Sequence, residues 1–445
     1  MIYAAKWVLP VTGSPVEDGA VAVKENKICD VGKLEALTDK YPEAEVKDFG
    51  LAAIMPGFID AHTHLEFSVF RGIVDDLPFS YWKIQLANKA KKLSDEDWQA
   101  SADIGAMEAV KSGITTIADT STEGYSLNSA KKYGLRGFIF AEVTGLNPAD
   151  VSKIMSKTKK RVGDWQSKVS GTKLNIGISP YSTYTVSPPL YKAVNEYARE
   201  NNLLLSTHVA GTKDEYEFVK YASGPLATKF KKIAGFDDVL WQPTGASPVK
   251  YLEQWDGFEG NVIAVHCVHV NAMDLDILAK YNVKVVHCPR VSAKLGMGIA
   301  PLKGLAQRKL KIGLGSDSPA SNNTVDLFEE MRVGLYLQRG LNHTSEGFSA
   351  EEFIKMATIG GAEVLGLESE IGSLEPQKQA DIIAIDLSRS YQIPTRDPYS
   401  AIVYGANQAN VVFTMCGGQV LYDREHSFID ETQAKVEKAR SKLRE

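Results

Sequence analysis

IMPGFIDAHTHL, residues 54–65, is the stretch that decides the fold. It reads as a short buried strand that ends in a His-x-His pair, and seven more short apolar segments follow it, most of them separated by amphipathic helical patterns. Strands that alternate with helices predict βα units in a parallel sheet, and eight such units predict a closed (β/α)8 barrel. The other seven segments are TTIADTS (115–121), RGFIFAEVTG (136–145), LNIGISPYS (174–182), LLLSTHVA (203–210), VIAVHCVH (262–269), VKVVHCPR (283–290) and KIGLGSDS (311–318).

A doubly wound open sheet is the alternative α/β architecture. A dinucleotide-binding sheet of that kind carries G-x-G-x-x-G after its first strand, and this sequence has no such motif there. We therefore expect a barrel domain over residues 56–370. Residues 1–55 and 371–424 read as short strands and turns, and the charged tail, 425–445, reads as a surface helix.

The composition excludes several classes of protein. The 445 residues include 50 Lys+Arg and 55 Asp+Glu, and this acidic balance gives no electrostatic reason to expect nucleic acid. No apolar run approaches the ~18 residues that a membrane helix needs, and the start lacks the features of a secretory signal. The four cysteines lie far apart and are typical of reduced thiols, so we expect a soluble cytoplasmic protein without a membrane partner.

Histidines mark the ends of several predicted strands. His62 and His64 end the first strand, His208 ends the fifth, His266 ends the sixth, and Asp317 ends the eighth. In a parallel barrel these ends converge on one face, where barrels place their sites. Imidazole and carboxylate ligands together suit Zn²⁺ or Fe²⁺, so the pattern predicts one divalent metal ion, with zinc favoured.

The predicted metal would lower the pKa of a bound water to roughly 7 and so supply hydroxide at neutral pH. Asp317 is then expected to orient that water and carry its proton. His269 and His287 lie near the same strand ends and are candidate substrate contacts, with a structural role as the alternative for each.

A long insertion separates the first two strands, from Glu66 to Ile114. It is rich in aromatic residues, so it is either an active-site cover or an extra pair of packing helices. Trp82 in this insertion and Tyr181 after the fourth strand are candidates to stack on a flat heterocycle. Arg290 is a candidate to bind a substrate carboxylate or phosphate, although it could equally pair with the acidic helix after strand eight.

The motifs taken together resemble the amidohydrolase superfamily, in its branch of aminohydrolases and chlorohydrolases that act on purines, nucleosides and triazines. The resemblance covers nearly the whole chain and implies that the two flanking segments pair into one small β-sandwich. The motifs that carry it are PGFIDAHTHLE (56–66), HVA (208–210), VHCVH (265–269), HCPR (287–290), KLGMGIAPL (294–302), GLGSDSPASNNTVDLFEEMR (313–332), MATIGGAEVLGL (356–367) and IGSLEPQKQADIIAID (371–386).

The resemblance also implies roles for the site residues. The metal ligands would be His62, His64, His208 and Asp317, and His266 would contact the metal or the attacking water and polarise the leaving group. Relatives with two metals carry a modified lysine at the end of strand four, but here the nearest lysine, Lys173, precedes that strand. One metal per chain is therefore expected.

Two departures from the family pattern bear on the reaction. Deaminases of this branch usually continue the strand-five histidine as His-x-x-Glu, and that glutamate protonates the substrate ring; here the position is Gly211. Glu215 and Glu217 lie further on, but a register identical to the family places neither at that spot. After the strand-seven histidine, relatives often carry Ser-Asn where this chain has Val291 and Ser292.

Three functions follow as hypotheses. The first is a metal-dependent aminohydrolase that releases ammonia from an amino-substituted purine, nucleoside or related heterocycle. The second, which Gly211 motivates, is hydrolysis of another bond on the same scaffold: dechlorination, N-dealkylation or amide hydrolysis. The third is a non-catalytic binding paralogue. The exact substrate stays open, and apolar helical surface around Leu335–Leu341 suggests a homodimer.

Overall fold

The computed structural model describes residues 1–426 and 432–443. Its first five strands belong to a mixed sheet in which β1 pairs antiparallel with β2 and parallel with β5. β2 and β3 form a hairpin, and β4 lies beside β1. These strands are β1 (Ile2–Val8), β2 (Val16–Lys24), β3 (Lys27–Lys33), β4 (Val46–Asp48) and β5 (Ala52–Pro56).

The next eight strands form a parallel sheet in strict chain order, which confirms the predicted (β/α)8 barrel. β6 and β7 are buried along their whole length, as expected for strands covered on both faces. Backbone hydrogen bonds between Asp317 and residues 62 and 64, of 2.9 and 3.0 Å, join the last strand to the first and close the barrel. The strands are β6 (Phe58–Thr63), β7 (Ile114–Ser121), β8 (Arg136–Val143), β9 (Leu174–Pro180), β10 (Leu205–Val209), β11 (Val262–His266), β12 (Lys284–His287) and β13 (Ile312–Leu314).

The chain then returns to the first sheet through β14 (Ile382–Asp386), β15 (Val411–Cys416) and β16 (Gln419–Asp423). β14 pairs antiparallel with β5, so the two ends of the chain build one sheet in the order β16-β15-β14-β5-β1-β2-β3. The two flanking segments, predicted to pair into one small β-sandwich, pair into one mixed sheet beside the barrel.

Helices surround the barrel and fill the insertion. Ser94 and Asp97 form a capping box that starts the long helix α3 before β7. The helices are α1 (Leu34–Lys40), α2 (Phe79–Ala90), α3 (Asp95–Lys111), α4 (Tyr125–Lys132), α5 (Val151–Val169), α6 (Pro188–Glu200), α7 (Lys213–Tyr221), α8 (Lys231–Ile233), α9 (Pro248–Gln254), α10 (Ala272–Lys280), α11 (Pro289–Lys294), α12 (Leu302–Gln307), α13 (Pro319–Asn322), α14 (Leu327–Asn342), α15 (Ala350–Ala357), α16 (Ile359–Leu365), α17 (Pro398–Ser400) and α18 (Thr432–Ser441).

The last helix is more than a solvated surface element. Residues 427–431 and 444–445 of the predicted 425–445 helix lie outside the described residues. In the described part, Ala439 and Leu443 are buried in a cluster that includes Val69 and Phe70 of the insertion. α18 therefore supports the segment that covers the barrel mouth.

The predicted dimer surface on α14 is partly internal. Leu335 is fully buried in the core, whereas Tyr336 and Leu341 are about half exposed. The homodimer stays a prediction.

A buried ion pair joins the barrel to the mixed sheet. Arg136, at the start of β8, donates from Nε and Nη2 to the Asp381 carboxylate at 2.8 and 3.1 Å. The amide N–H of Gly417 also donates to this carboxylate. Both charged groups are buried and have lost their hydration, so each is stabilised mainly by its ion pair with the other.

We expect Asp381→Ala to destabilise the protein strongly, because it leaves the Arg136 guanidinium buried without its partner. Breaking a buried pair in this way costs about 3–5 kcal/mol. The urea midpoint of unfolding measures the loss. Glu351→Ala, which breaks the exposed pair with Lys355, is the matched control and should leave the midpoint nearly unchanged. Equal midpoints for the two variants would contradict the assigned role of Asp381.

Candidate metal centre and substrate pocket

Four ligand atoms converge at the C-terminal mouth of the barrel. His62 lies on β6, His64 directly follows β6, His208 lies on β10, and Asp317 lies in the turn after β13. Nε2 of His208 lies 3.1 Å from Nε2 of His62 and 3.4 Å from Nε2 of His64, and Oδ1 of Asp317 lies 3.3 Å from Nε2 of His62. All four ligand atoms lie within 4.8 Å of one another.

These separations fit a metal ion. Tetrahedral ligands at the Zn–N distance of 2.0–2.1 Å stand about 3.3 Å apart. Burial lowers the pKa of His64 to about 3 and that of His208 well below its ordinary value, so both imidazoles are neutral near pH 7. Nδ1 of His208 lies 2.8 Å from the carbonyl oxygen of Tyr181, which places the proton on Nδ1 and leaves the Nε2 lone pair facing the cluster.

The backbone around the cluster is held in unusual conformations. His266 and Asp317 both have positive φ, at 79° and 58°, and so does Ala210 at 54°. Non-glycine residues adopt this region at a cost and persist in it where the surrounding structure fixes them. The hydroxyl of Ser321 donates to the Asp317 carboxylate at 3.0 Å, and Ser316 donates to buried Asp60 behind it.

His266 stands beside the group of four. Its ring centroid lies 5.4 Å from that of His208 and 6.1 Å from that of His62, and its ring lines the pocket. Burial lowers the pKa of His266 to about 4. Its predicted contact with the metal or the attacking water stays a prediction.

A small aromatic pocket lies above the cluster and encloses about 100 Å³. Four of the lining residues lie on α2, the helix of the insertion. α2 therefore covers the mouth of the barrel as well as packing against it. Trp82 and Tyr181, which the sequence predicts as contacts for a flat heterocycle, both line the pocket. The full lining is His64, Phe67, Phe79, Trp82, Lys83, Leu86, Thr122, Glu142, Tyr181, Tyr184, His208, Gly211, Thr212, Glu215, His266, Met297, Asp317 and Ser318.

Three other candidate substrate contacts lie outside this lining. Nε2 of His269 lies 2.7 Å from the carbonyl oxygen of Met297. His287 is buried, and neither of its ring nitrogens has a hydrogen-bond partner within residues 1–426 and 432–443. Arg290 donates to the carbonyl of Asn322 and the hydroxyl of Thr324 and pairs with Glu330 at 3.5 Å, which is the helix pairing expected as its alternative role.

Lys83 and Glu142 are charged pocket residues that the sequence did not predict, and the family register did not place Glu215 here. Lys83 follows Trp82 in the insertion, where charge alone gives no direction to a side chain. Glu142 lies near the end of β8, so the strand-end rule that found Asp317 also points to it. Glu215 lies on α7, and burial raises its pKa to about 7.

At the position where deaminases of this branch usually carry the acidic glutamate, this chain has Gly211, which has no side chain. A Cβ placed there would lie 3.1 Å from Cδ2 of His266 and 3.4 Å from Cε of Met297. The Glu215 carboxylate lies beneath this backbone and accepts from the N–H groups of Gly211 and Ala210 at 2.8 and 3.0 Å. Glu217 does not line the pocket.

Comparison with known proteins agrees with this architecture. The model of the Amidohydrolase family matches residues 53–421. The 5-methylthioadenosine/S-adenosylhomocysteine deaminase of Thermodesulfovibrio yellowstonii is 31% identical over 428 residues, which are 94% of this chain and 92% of that protein. No helix in the described ranges combines the length and the apolar character needed to traverse a bilayer.

Solved structures share the fold over the whole chain. An adenosine deaminase from Xanthomonas campestris with bound zinc has a TM-score of 0.86 at 24% identity, and the match covers 100% of this chain and 98% of that one. Helicobacter pylori aminofutalosine deaminase in complex with methylthio-coformycin has a TM-score of 0.80 at 22% identity, covering 94% and 99%.

We expect purified protein to carry a divalent metal that His208→Ala loses, because this change removes one corner of the cluster. Elemental analysis by mass spectrometry gives the metal content per chain. His343→Ala, at an exposed position on the surface, is the control and should keep the wild-type content. Full metal content in His208→Ala would contradict the assigned cluster.

Proposed function

The chain belongs to the amidohydrolase family and is a hydrolase of carbon–nitrogen bonds other than peptide bonds, and from that premise we propose that it deaminates the 6-amino group of an adenine nucleoside. The observation that carries this proposal is the cluster of His62, His64, His208 and Asp317 at the floor of an aromatic pocket. The deaminase names of relatives at 31% identity support it.

Zinc is the proposed metal, with one ion per chain. Three imidazoles and one carboxylate are a ligand set that Zn²⁺ accepts, with Fe²⁺ as the alternative. The position of Lys173 supports a single ion per chain. Its ammonium group contacts the carbonyl of Gly134 and the side chain of Gln419 at the opposite end of the barrel, so it lies away from the mouth. A second metal would need a further ligand at the mouth.

The bound metal would supply an ionised water as the nucleophile at neutral pH. Asp317 takes the proton that the attacking water releases and returns it to the departing amino group. The neutral ring of His266 hydrogen-bonds to the developing alkoxide oxygen. The aromatic side chains of Trp82 and Tyr184 hold the flat base over the cluster and exclude water.

The substrate proposed is an adenine nucleoside with a thioether on the ribose, by analogy with the relatives' names. Ligand pockets commonly span about 300–1,000 Å³, so the present 100 Å³ is too small for such a molecule. α2 must therefore move outward for entry and return over the bound base.

We also propose that the protein is cytoplasmic and forms a homodimer. All four cysteines are free, as is usual for proteins of a reducing compartment.

We expect the zinc-loaded protein to release ammonia from 5-methylthioadenosine, and Asp317→Ala to lose this release. An enzyme-coupled ammonia assay over a panel of adenine nucleosides, guanine, pterins and aminotriazines identifies the preferred substrate. Silence across the whole panel from metal-loaded protein would refute the deaminase proposal.

Gly211 favours a second candidate, hydrolysis of a different leaving group on the same scaffold. Loss of a general acid costs about 10²–10⁴ in rate when the reaction needs it. Chloride, alkylamine or carboxylate products from heterocycles that yield no ammonia would support this second function.

Gly211→Glu separates the two candidates. If the wild-type pocket is built for deamination without an acid at this position, the added side chain crowds His266 and Met297 and lowers ammonia release. A large gain instead would show that the wild-type chain is tuned for another bond. Gly163→Glu, at an exposed helix position with open space, is the control.

A further inference from the structure

We propose that Lys83 is the proton donor to the substrate ring in this chain, taking over the task for which Gly211 has no side chain. The inference rests on the proposed deamination and adds a catalytic residue to it. It places the donor on the cover helix α2 rather than on the loop after β10.

Lys83 is the only lysine or arginine among the residues that line the pocket in the described ranges. Its ammonium group donates one short hydrogen bond, to the hydroxyl of Tyr181. No carboxylate lies within 4.0 Å of it in residues 1–426 and 432–443. An ammonium group without an ion pair is costly to hold inside a protein, and two of its three protons are free for a ligand.

Tyr181 holds this ammonium close to the cluster. Nζ of Lys83 lies 4.2 Å from the centroid of the Tyr181 ring, a cation–π contact. The ring of Tyr181 also lies beside two metal-site histidines, with His208 at 4.5 Å and His64 at 6.2 Å between centroids, and beside Tyr184 at 6.5 Å. Lys83 is therefore one aromatic ring away from the place where the substrate carbon reacts.

The wall near Gly211 offers no comparable donor. Beside Gly211 the nearest groups are the ring of His266 and the methyl group of Met297. Glu215 lies beneath and accepts three hydrogen bonds, from the amides of 210 and 211 and from the hydroxyl of Thr183 at 2.6 Å. The carboxylate of Glu215 is thus engaged with the loop backbone and with Thr183, even though burial raises its pKa to about 7.

Glu142 can return a proton to Lys83 after each turnover. Within the part of the chain that the structure describes, its carboxylate has no hydrogen-bond or ion-pair partner, and burial raises its pKa to about 7. Glu142 lines the substrate pocket and also a second cavity of about 600 Å³, whose lining includes exposed Lys157 and Lys160. Glu142 thus lies between the part-buried ammonium group of Lys83 and the second cavity.

The proton balance of the step is complete. The water oxygen bonds to C6 of adenine, the C6–N1 π electrons move to N1, and N1 takes a proton from Nζ of Lys83. Asp317 returns one proton of the water to N6, the C6–N6 bond breaks as the C6=O bond forms, and ammonia leaves. The second proton of the water is released to solvent. Because the product keeps the N1 proton, Lys83 is recharged from solvent through Glu142, and the net reaction consumes one water and releases one ammonia.

Lys83→Met tests the inference, since methionine is an unbranched side chain only one heavy atom shorter than lysine and has no proton to donate. We expect kcat for ammonia release to fall about 10²–10⁴-fold with KM changed only a few-fold. Zinc content and melting temperature should equal those of wild type. Ethylammonium chloride should restore turnover to Lys83→Ala and not to Asp317→Ala, whereas exposed Lys91→Met should behave as wild type.

Other results would overturn the inference. They are a kcat in Lys83→Met close to that of wild type, a change in KM alone, or a loss that comes with lost zinc or a lowered melting temperature. If wild type itself releases no ammonia, the proposed function is refuted independently of Lys83.

The role of Lys83 is then tested by the binding of methylthio-coformycin, measured by calorimetry. We expect Lys83→Met to bind this compound roughly 10–100-fold more weakly than wild type. Equal affinities would refute the donor role.

Discussion

Two backbone hydrogen bonds between Asp317 and the 62–64 segment hold the rest of this structure in place. They close the barrel between its eighth and first strands, and they are made by the residues whose side chains form the metal cluster. The left-handed backbone at Asp317 turns its carboxylate toward the imidazoles while its amide and carbonyl stay in the ladder. The same residues therefore close the barrel and form the cluster.

Charge is the second constraint at the mouth. The imidazoles of His64 and His208 are neutral because burial penalises their charged form, which keeps their lone pairs available for a metal. Asp317, Glu142 and Lys83 share the same small volume, where few water molecules screen them from one another. Each has a distinct partner or opening: Ser321 for Asp317, Tyr181 for Lys83, and the second cavity for Glu142.

The sequence predicts the barrel and the cluster because both depend on where strands end. A strand end fixes the direction of His62, His64 and His208 to within a residue, and the barrel brings those ends together. Lys83 could not be predicted from the sequence, because the direction of its side chain depends on how α2 packs across the mouth. No periodic pattern of residues indicates that packing. Arg290 is the second residue of α11, and its ion pair with Glu330 on α14 holds its side chain outside the pocket lining.

The position of α2 has a consequence for discrimination between ligands. This helix carries the aromatic wall and the ammonium group together, so the degree to which it shuts decides whether a bound molecule meets a complete set of reacting groups. On the proposed mechanism, a compound that fits over the cluster but holds the helix outward would bind without being converted. Such an enzyme would select molecules by their thickness and reach as well as by the strength of their binding.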